Sequence, residues 1–209
     1  MPACSDASTD RLRIVIRKGK TFALVLRSGT SRIAYRNITG VSQAGPCVVT
    51  APLHGLVDGW PFRIANVAGM TEINSDERAM APDGGWFIPT ILTPDTIEIN
   101  AVNSAGYAAY RSGGQIYYHT PLDMAGYSAR MQVRTDSASP DILLELSTAN
   151  SGIVLDNAAK TITLKMTDAA TATIDWTQGV ADIELVSGSG QVSLLAPADV
   201  LIEEEVTRA

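Results

Sequence analysis

The sequence predicts an all-β protein, on three observations. Apolar and polar residues alternate with period two through much of the chain. Turn-forming residues recur about every 8–12 positions, the spacing of a sandwich or barrel. No stretch carries the i, i+3, i+4 repeat of an amphipathic helix. The 209 residues fit one or two domains, and with 45% hydrophobic and 18% charged residues the chain has enough apolar material for a packed core.

The elements follow in order. In Arg11 to Arg17, Leu12, Ile14 and Ile16 share one face and Arg11, Arg13 and Arg17 the other. Thr21 to Arg27 reads as a second strand with Phe22, Leu24 and Leu26 toward the core. Lys18-Gly19-Lys20 is the turn between them, so the pair reads as a β-hairpin. A lone hairpin is marginal in water, so it must dock onto further strands. Val48–Thr50, Pro61–Val67, Thr96–Ile99 and Gln115–Tyr118 are the middle strands. Ser128–Arg134, Ile142–Ser147, Ile153–Leu155, Thr161–Met166, Ala181–Val186, Val192–Leu194 and Val200–Val206 follow. Asp58-Gly59, Asp83-Gly84-Gly85, Ser112-Gly113-Gly114, Ser151-Gly152, Asp156-Asn157 and Ser187-Gly188-Ser189-Gly190 punctuate them as turns. Thr167 to Ala172 predicts one short helical turn, capped by Thr167 or Asp168.

The net charge of −6 is unevenly placed. The first 36 residues hold eight basic side chains (Arg11, Arg13, Arg17, Lys18, Lys20, Arg27, Arg32, Arg36) and two acidic ones. Three uses fit such a segment: a nucleic-acid arm, the solvent face of strands, or pairing with an acidic protein neighbour. The alternation with core-type residues, without interleaved aromatics for base stacking, counts against nucleic acid. Cys4 lies in a polar leader, residues 1–9, expected to be flexible. Cys47 lies among strands. Their unlike contexts, with no further cysteines, argue against a bridge. The chain shows neither a membrane-length apolar run nor a basic-then-apolar leader, which predicts a soluble protein made in a cytoplasm.

No catalytic, cofactor-binding or metal site is expected. His54 and His119 lack ligands at zinc spacing and read as turn residues. There is no nucleophile elbow, Walker loop or dinucleotide fingerprint, and Gly188-Ser189-Gly190 reads as a hairpin turn. Glu203-Glu204-Glu205 reads as a solvated strand end or a partner contact. Trp60 and Trp86, near turns in one segment, are candidates for a sugar-stacking platform, against the alternative that both pack in a core.

Two blocks carry a resemblance. Ile38-Thr39-Gly40-Val41-Ser42, Val48 to Gly59, Phe62 to Asn74, Asp95 to Ile99 and Gly106 to Gly114 together resemble a small β-module of phage tail proteins. Sequence comparison relates that module to the first catalytic-cysteine half-domain of ubiquitin-activating enzymes, without implying ubiquitin chemistry. In it, His54-Gly55 through Asp58-Gly59 implies a loop before a strand, and Gly69 to Asn74 a tight connection. Residues 76–86 depart from it, a Pro/Gly-rich stretch replacing its middle strand. The second block, Pro121 to Arg134 with Asp182 to Val186 and Glu205 to Arg208, resembles the N-terminal domain of phage baseplate upper proteins and fibre-attachment proteins. Arg17 to Phe22 resembles that family's hairpin, with Lys20 where an acid is usual.

The resemblance implies an Ig-like β-sandwich from 10–32 plus 120–207, interrupted by a small β-barrel-like domain at 33–119. It implies a structural virion protein of the tail or baseplate that docks to other tail proteins, forms a symmetric homo-oligomer and mediates fibre or host attachment. Head–tail connection or head decoration, and a carbohydrate-binding module for host surface glycans, are the alternatives. Trp60, Trp86, Arg11, Arg13 and Arg17 are the expected partner or glycan contacts. No cofactor is expected, and an enzyme is the reading with least support.

Overall fold

The structure, a computed structural model, describes residues 11–76 and 84–205. The flexible leader expected at 1–9 and its Cys4 lie outside the described residues, as does most of the 76–86 departure. The protein is all-β, with a single α-helix of five residues among the described residues.

The chain starts with β1 (Leu12–Arg17) and β2 (Phe22–Leu26). They do not form the expected hairpin. β1 pairs in parallel with the last strand, and β2 pairs antiparallel in a different sheet. Alternation fixed which side chains of each strand face inward, but it carries no information about a partner. Lys18-Gly19-Lys20 is instead an arch between two sheets. Gly19 holds φ +68 there, and the Lys20 amide donates to the Arg17 carbonyl at 3.3 Å.

The chain divides into two compact units, one of them Gly29–Leu122 and the other built from the segments on either side. The division falls a few residues outside the expected 33 and 119. The reason is that β3 (Gly29–Asn37) and β9 (Ser112–Pro121) are longer than the sequence suggests and pair with each other from Gly29↔Pro121 onward.

Within the inserted unit, β4 (Gly40–Val41), β5 (Cys47–Thr50), β6 (Arg63–Ala68), a 3₁₀ turn (Thr71–Ile73), β7 (Thr90–Thr93) and β8 (Thr96–Ile99) lie between those two strands. They form two sheets, ordered β3-β9-β6 and β4-β5-β8-β7. Val49, Phe62, Ile64, Met70, Ile97, Ile99 and Ile116 are fully buried in one apolar cluster with Trp60, Phe87 and Tyr118. Gly69 turns the chain into the 3₁₀ element at φ +93, where a Cβ would stand 2.3 Å from the Ala109 carbonyl oxygen.

The outer unit resumes with β10 (Ser128–Arg134), β11 (Leu144–Ser147), β12 (Ile153–Asp156), β13 (Thr161–Met166), α1 (Asp168–Ala172), β14 (Gln178–Val186) and β15 (Val192–Glu203). Its sheets run β1-β15-β14-β10-β11 and β12-β13-β2, a sandwich-like pair in which β12 packs against β10 and β11. Ile14, Ile16, Met131, Val133, Ile162, Leu164, Ile183 and Val200 are buried in it. Burial of each isoleucine or leucine contributes about 1.5–3 kcal/mol. β15 is one strand where the sequence suggested two. The helix starts as expected, with the Thr167 hydroxyl accepting from the Ala170 amide. Buried Thr171 ties it to the arch by donating to the Lys20 carbonyl at 2.8 Å. No helix among the described residues is long and apolar enough to cross a membrane.

Candidate functional site

The basic segment meets acids of its own chain. The parallel register sets Arg17 opposite Glu203 and Arg13 opposite Asp199. Arg11 pairs with Asp199 at 2.6 Å, Arg17 with Glu203 at 2.8 Å, Lys18 with Glu204 at 3.1 Å and Lys20 with Glu205 at 2.5 Å. The acids that pair with this segment lie on β15 and the residues after it, and the glutamate run is not merely a solvated end. Arg13 is exposed and has no ion pair among the described residues.

The open edges of the outer unit are unequal. The Lys18 amide donates to the Glu203 carbonyl, so by parallel alternation the even residues of β1 bond to β15. The backbone groups of Arg13 and Val15 then face away from the sheet. A groove of about 410 Å³ runs there, between β1 and the free edge of β2, lined by Arg13, Val15, Arg17, Lys20, Phe22 and Leu24 among others. At the far edge, Asn150 occupies β11. Its Oδ1 accepts from the Ser147 amide at 2.9 Å and its Nδ2 donates to the Glu145 carbonyl at 3.0 Å. Asn150 thus covers two outward backbone groups of β11, whereas β1 borders an open groove.

In the inserted unit, Trp60 and Trp86 part company. Trp60 is 3% exposed, and its Nε1–H donates to the His119 carbonyl at 2.9 Å. Its ring belongs to the core and has no open face for a sugar. Trp86 is half-buried, with the Arg63 guanidinium over its ring at 4.9 Å.

Trp86 has companions the sequence did not suggest. Ile64, Ile116 and Tyr118 point into the core, so Arg63 and Tyr117 lie on the opposite face of the β3-β9-β6 sheet. Tyr35 pairs with Tyr117, and Tyr117 with Arg63. The Phe62↔Phe87 bridge continues the register, setting Trp86 beside Arg63. Tyr35, Tyr117, Arg63 and Trp86 thus form one row across the sheet. The two tyrosine rings stack at 6.1 Å between centroids with 24° between planes, and Tyr35 is 53% exposed. The adjacent row holds Asn37 and Gln115, joined by a 2.9 Å hydrogen bond. Tyr117 was legible from its place between inward-facing Ile116 and Tyr118. Tyr35 was not, because β3 shows little core-facing alternation.

The groups best suited to catalysis are otherwise engaged. His54 is buried. Its Nδ1 accepts from the Leu56 amide at 3.1 Å, so its Nε2 carries the proton and donates to the Thr93 carbonyl at 2.9 Å. His119 Nδ1 meets the Thr30 carbonyl at 3.1 Å. Cys47 is a buried free thiol whose pKa is raised by desolvation, the reverse of what a reactive thiolate needs. No group of three or more metal-ligating side chains gathers among the described residues. No protein-family model matches the chain, and no curated protein matches it.

Proposed function

We propose that the protein is a non-enzymatic structural component of a bacteriophage particle, most suitably of its tail or baseplate. The outer unit anchors the chain to neighbouring virion proteins, and the inserted unit carries the contact with a fibre or the host. The resemblance of both blocks to phage tail modules supports this reading. The observation that carries it is the contrast between the β11 edge of the outer unit and its β1 and β2 edges. Asn150 satisfies the Ser147 amide and the Glu145 carbonyl of β11, whereas β1 and β2 border a groove. A protein that closes one edge and leaves another open is suited to gain a strand there from a neighbour. Arg13 on the groove's rim, exposed and without an ion pair among the described residues, suits a partner segment that carries an acid.

Peptide mapping of purified particles tests this. The chain is expected in intact virions at a fixed ratio to the other tail proteins. Its absence from particles that carry complete tails overturns the proposal.

A further inference from the structure

We propose that the exposed face of the β3-β9-β6 sheet binds an anionic polysaccharide along the Tyr35–Tyr117–Arg63–Trp86 row. This goes beyond a structural role and does not rest on it.

The row brings three aromatic rings and a guanidinium together. Tyr35 and Tyr117 are already stacked and near-parallel, and Tyr35 is more than half exposed. Arg63 continues the row as a planar cation held against the Trp86 ring. At the ordinary strand spacing the row spans roughly 14 Å, long enough for a short oligosaccharide rather than a single ring. Sugar C–H faces stack on such rings, and the hydroxyls between them need polar neighbours. Asn37 and Gln115 supply planar amides in the next row, and His119 lies opposite Ile33 in the row on the other side.

Charge selects an acidic sugar over a neutral one. Arg63 is the cation of this row, and β3, β6, β9 and the Gly84–Ile88 segment hold no carboxylate, on a chain whose net charge is −6; Arg36 pairs with inward-facing Ile116 and so lies on the other face. Arg63 forms no ion pair with a described carboxylate. Its Nη2 donates to the Gly84 carbonyl. A guanidinium in that state favours a carboxylate ligand. A protein partner fits less well, because the row is flanked by the amides of Asn37 and Gln115 and not by the apolar anchors of a protein interface. Single-stranded nucleic acid would also stack here, but its backbone needs several free cations, and Arg63 is the one cation of the row.

The test titrates the full chain with a galacturonate tetramer, cellotetraose and a short oligothymidylate, reading tryptophan fluorescence and binding heat. The galacturonate tetramer is expected to bind with a Kd below about 1 mM, a modest affinity for an open site. Tyr35→Ala is expected to weaken it at least about tenfold, and Tyr35→Phe, which keeps the ring, to stay within about twofold. Far-UV circular dichroism and a melting curve establish that both variants fold, which Tyr35's exposure favours. No galacturonate binding at 10 mM, or an unchanged affinity in folded Tyr35→Ala, overturns the proposal. Equal affinity for cellotetraose overturns its charge selectivity, and tighter binding of oligothymidylate assigns the face to nucleic acid instead.

Discussion

Arg17 and Glu203, 186 positions apart, meet at 2.8 Å where the first strand lies parallel to the last. The parallel pairing runs from Leu12↔Ala198 to Arg17↔Glu203 and places β1 at the edge of its sheet, beside β15. Its inward residues, Ile14, Ile16, Ala198 and Val200, are at most 1% exposed.

Closure should depend on those apolar residues more than on the ion pairs. Both partners of Arg17–Glu203 are well exposed, and exposed pairs contribute about 0–1 kcal/mol. Arg17→Ala is therefore expected to cost less than about 1 kcal/mol in urea unfolding. Ile16→Ala is expected to cost about 2–5 kcal/mol, because the cavity adds to the lost transfer energy. Comparable losses in the two variants would mean that the charge ladder holds the ends together.

Asn150 is expected to protect β11. It satisfies the Ser147 and Gly152 amides and the Glu145 carbonyl with one side chain. Asn150→Ala should cost about 1–3 kcal/mol through unsatisfied backbone groups. It should also raise concentration-dependent self-association, seen by light scattering, because a sheet edge is uncovered. A variant that loses stability but stays monodisperse would limit Asn150 to a turn-forming role.

His54 and Leu53 make a contrasting pair in the loop beside β7. His54→Ala strands the Leu56 amide and the Thr93 carbonyl in the interior, and a loss of about 1–3 kcal/mol or more is expected from thermal or urea melts. Leu53 sits at φ +51, 74% exposed, its amide held by Asp95 and its carbonyl by Arg36. Leu53→Gly should leave stability within about 1 kcal/mol, since glycine adopts this φ without strain. A large loss there would show that the leucine side chain packs in a way its exposure does not suggest.

Acid should weaken the start of the returning outer segment. The Asp123 carboxyl is held below its ordinary pKa, first by the Asn157 side-chain amide, then by the Ala125 amide and by Lys160. A depressed carboxylate stabilises the fold above its unfolded pKa of about 3.9, and that contribution is lost as the pH falls through the lower folded value. The melting-temperature gap between the wild type and Asp123→Asn should be full near pH 6 and narrow below about pH 4. A gap independent of pH would mean that the carboxylate's charge contributes nothing.

Much of the fold was legible because period two reports burial directly. Ser128–Arg134 and Thr161–Met166 have the bounds the sequence predicts, and the Thr167 cap is where its chemistry places it. Partners were less legible. β1 and β2 alternate as hairpin strands do, yet each pairs with a strand more than a hundred residues away. Pro197 broke the reading of β15 in two. The Ile202 amide bonds to the Thr177 carbonyl, so by antiparallel alternation the nitrogen of Pro197 faces away from β14, and no bond to that strand is lost.

The candidate site was half legible for the same reason. Trp60 and Trp86 share a composition and a neighbourhood, and only the three-dimensional register separates a core ring from a surface one. Arg11 and Arg17 read as contacts for a partner because their acids lie nearly two hundred residues downstream.

The most direct measurement for the structural reading is a density map of an intact phage particle carrying this chain. The two-unit fold is expected in symmetric copies in the tail or baseplate, with a strand from a neighbouring protein lying against β1 or β2. A particle with a complete tail in which this fold is absent, or in which every copy leaves that edge bare, contradicts it.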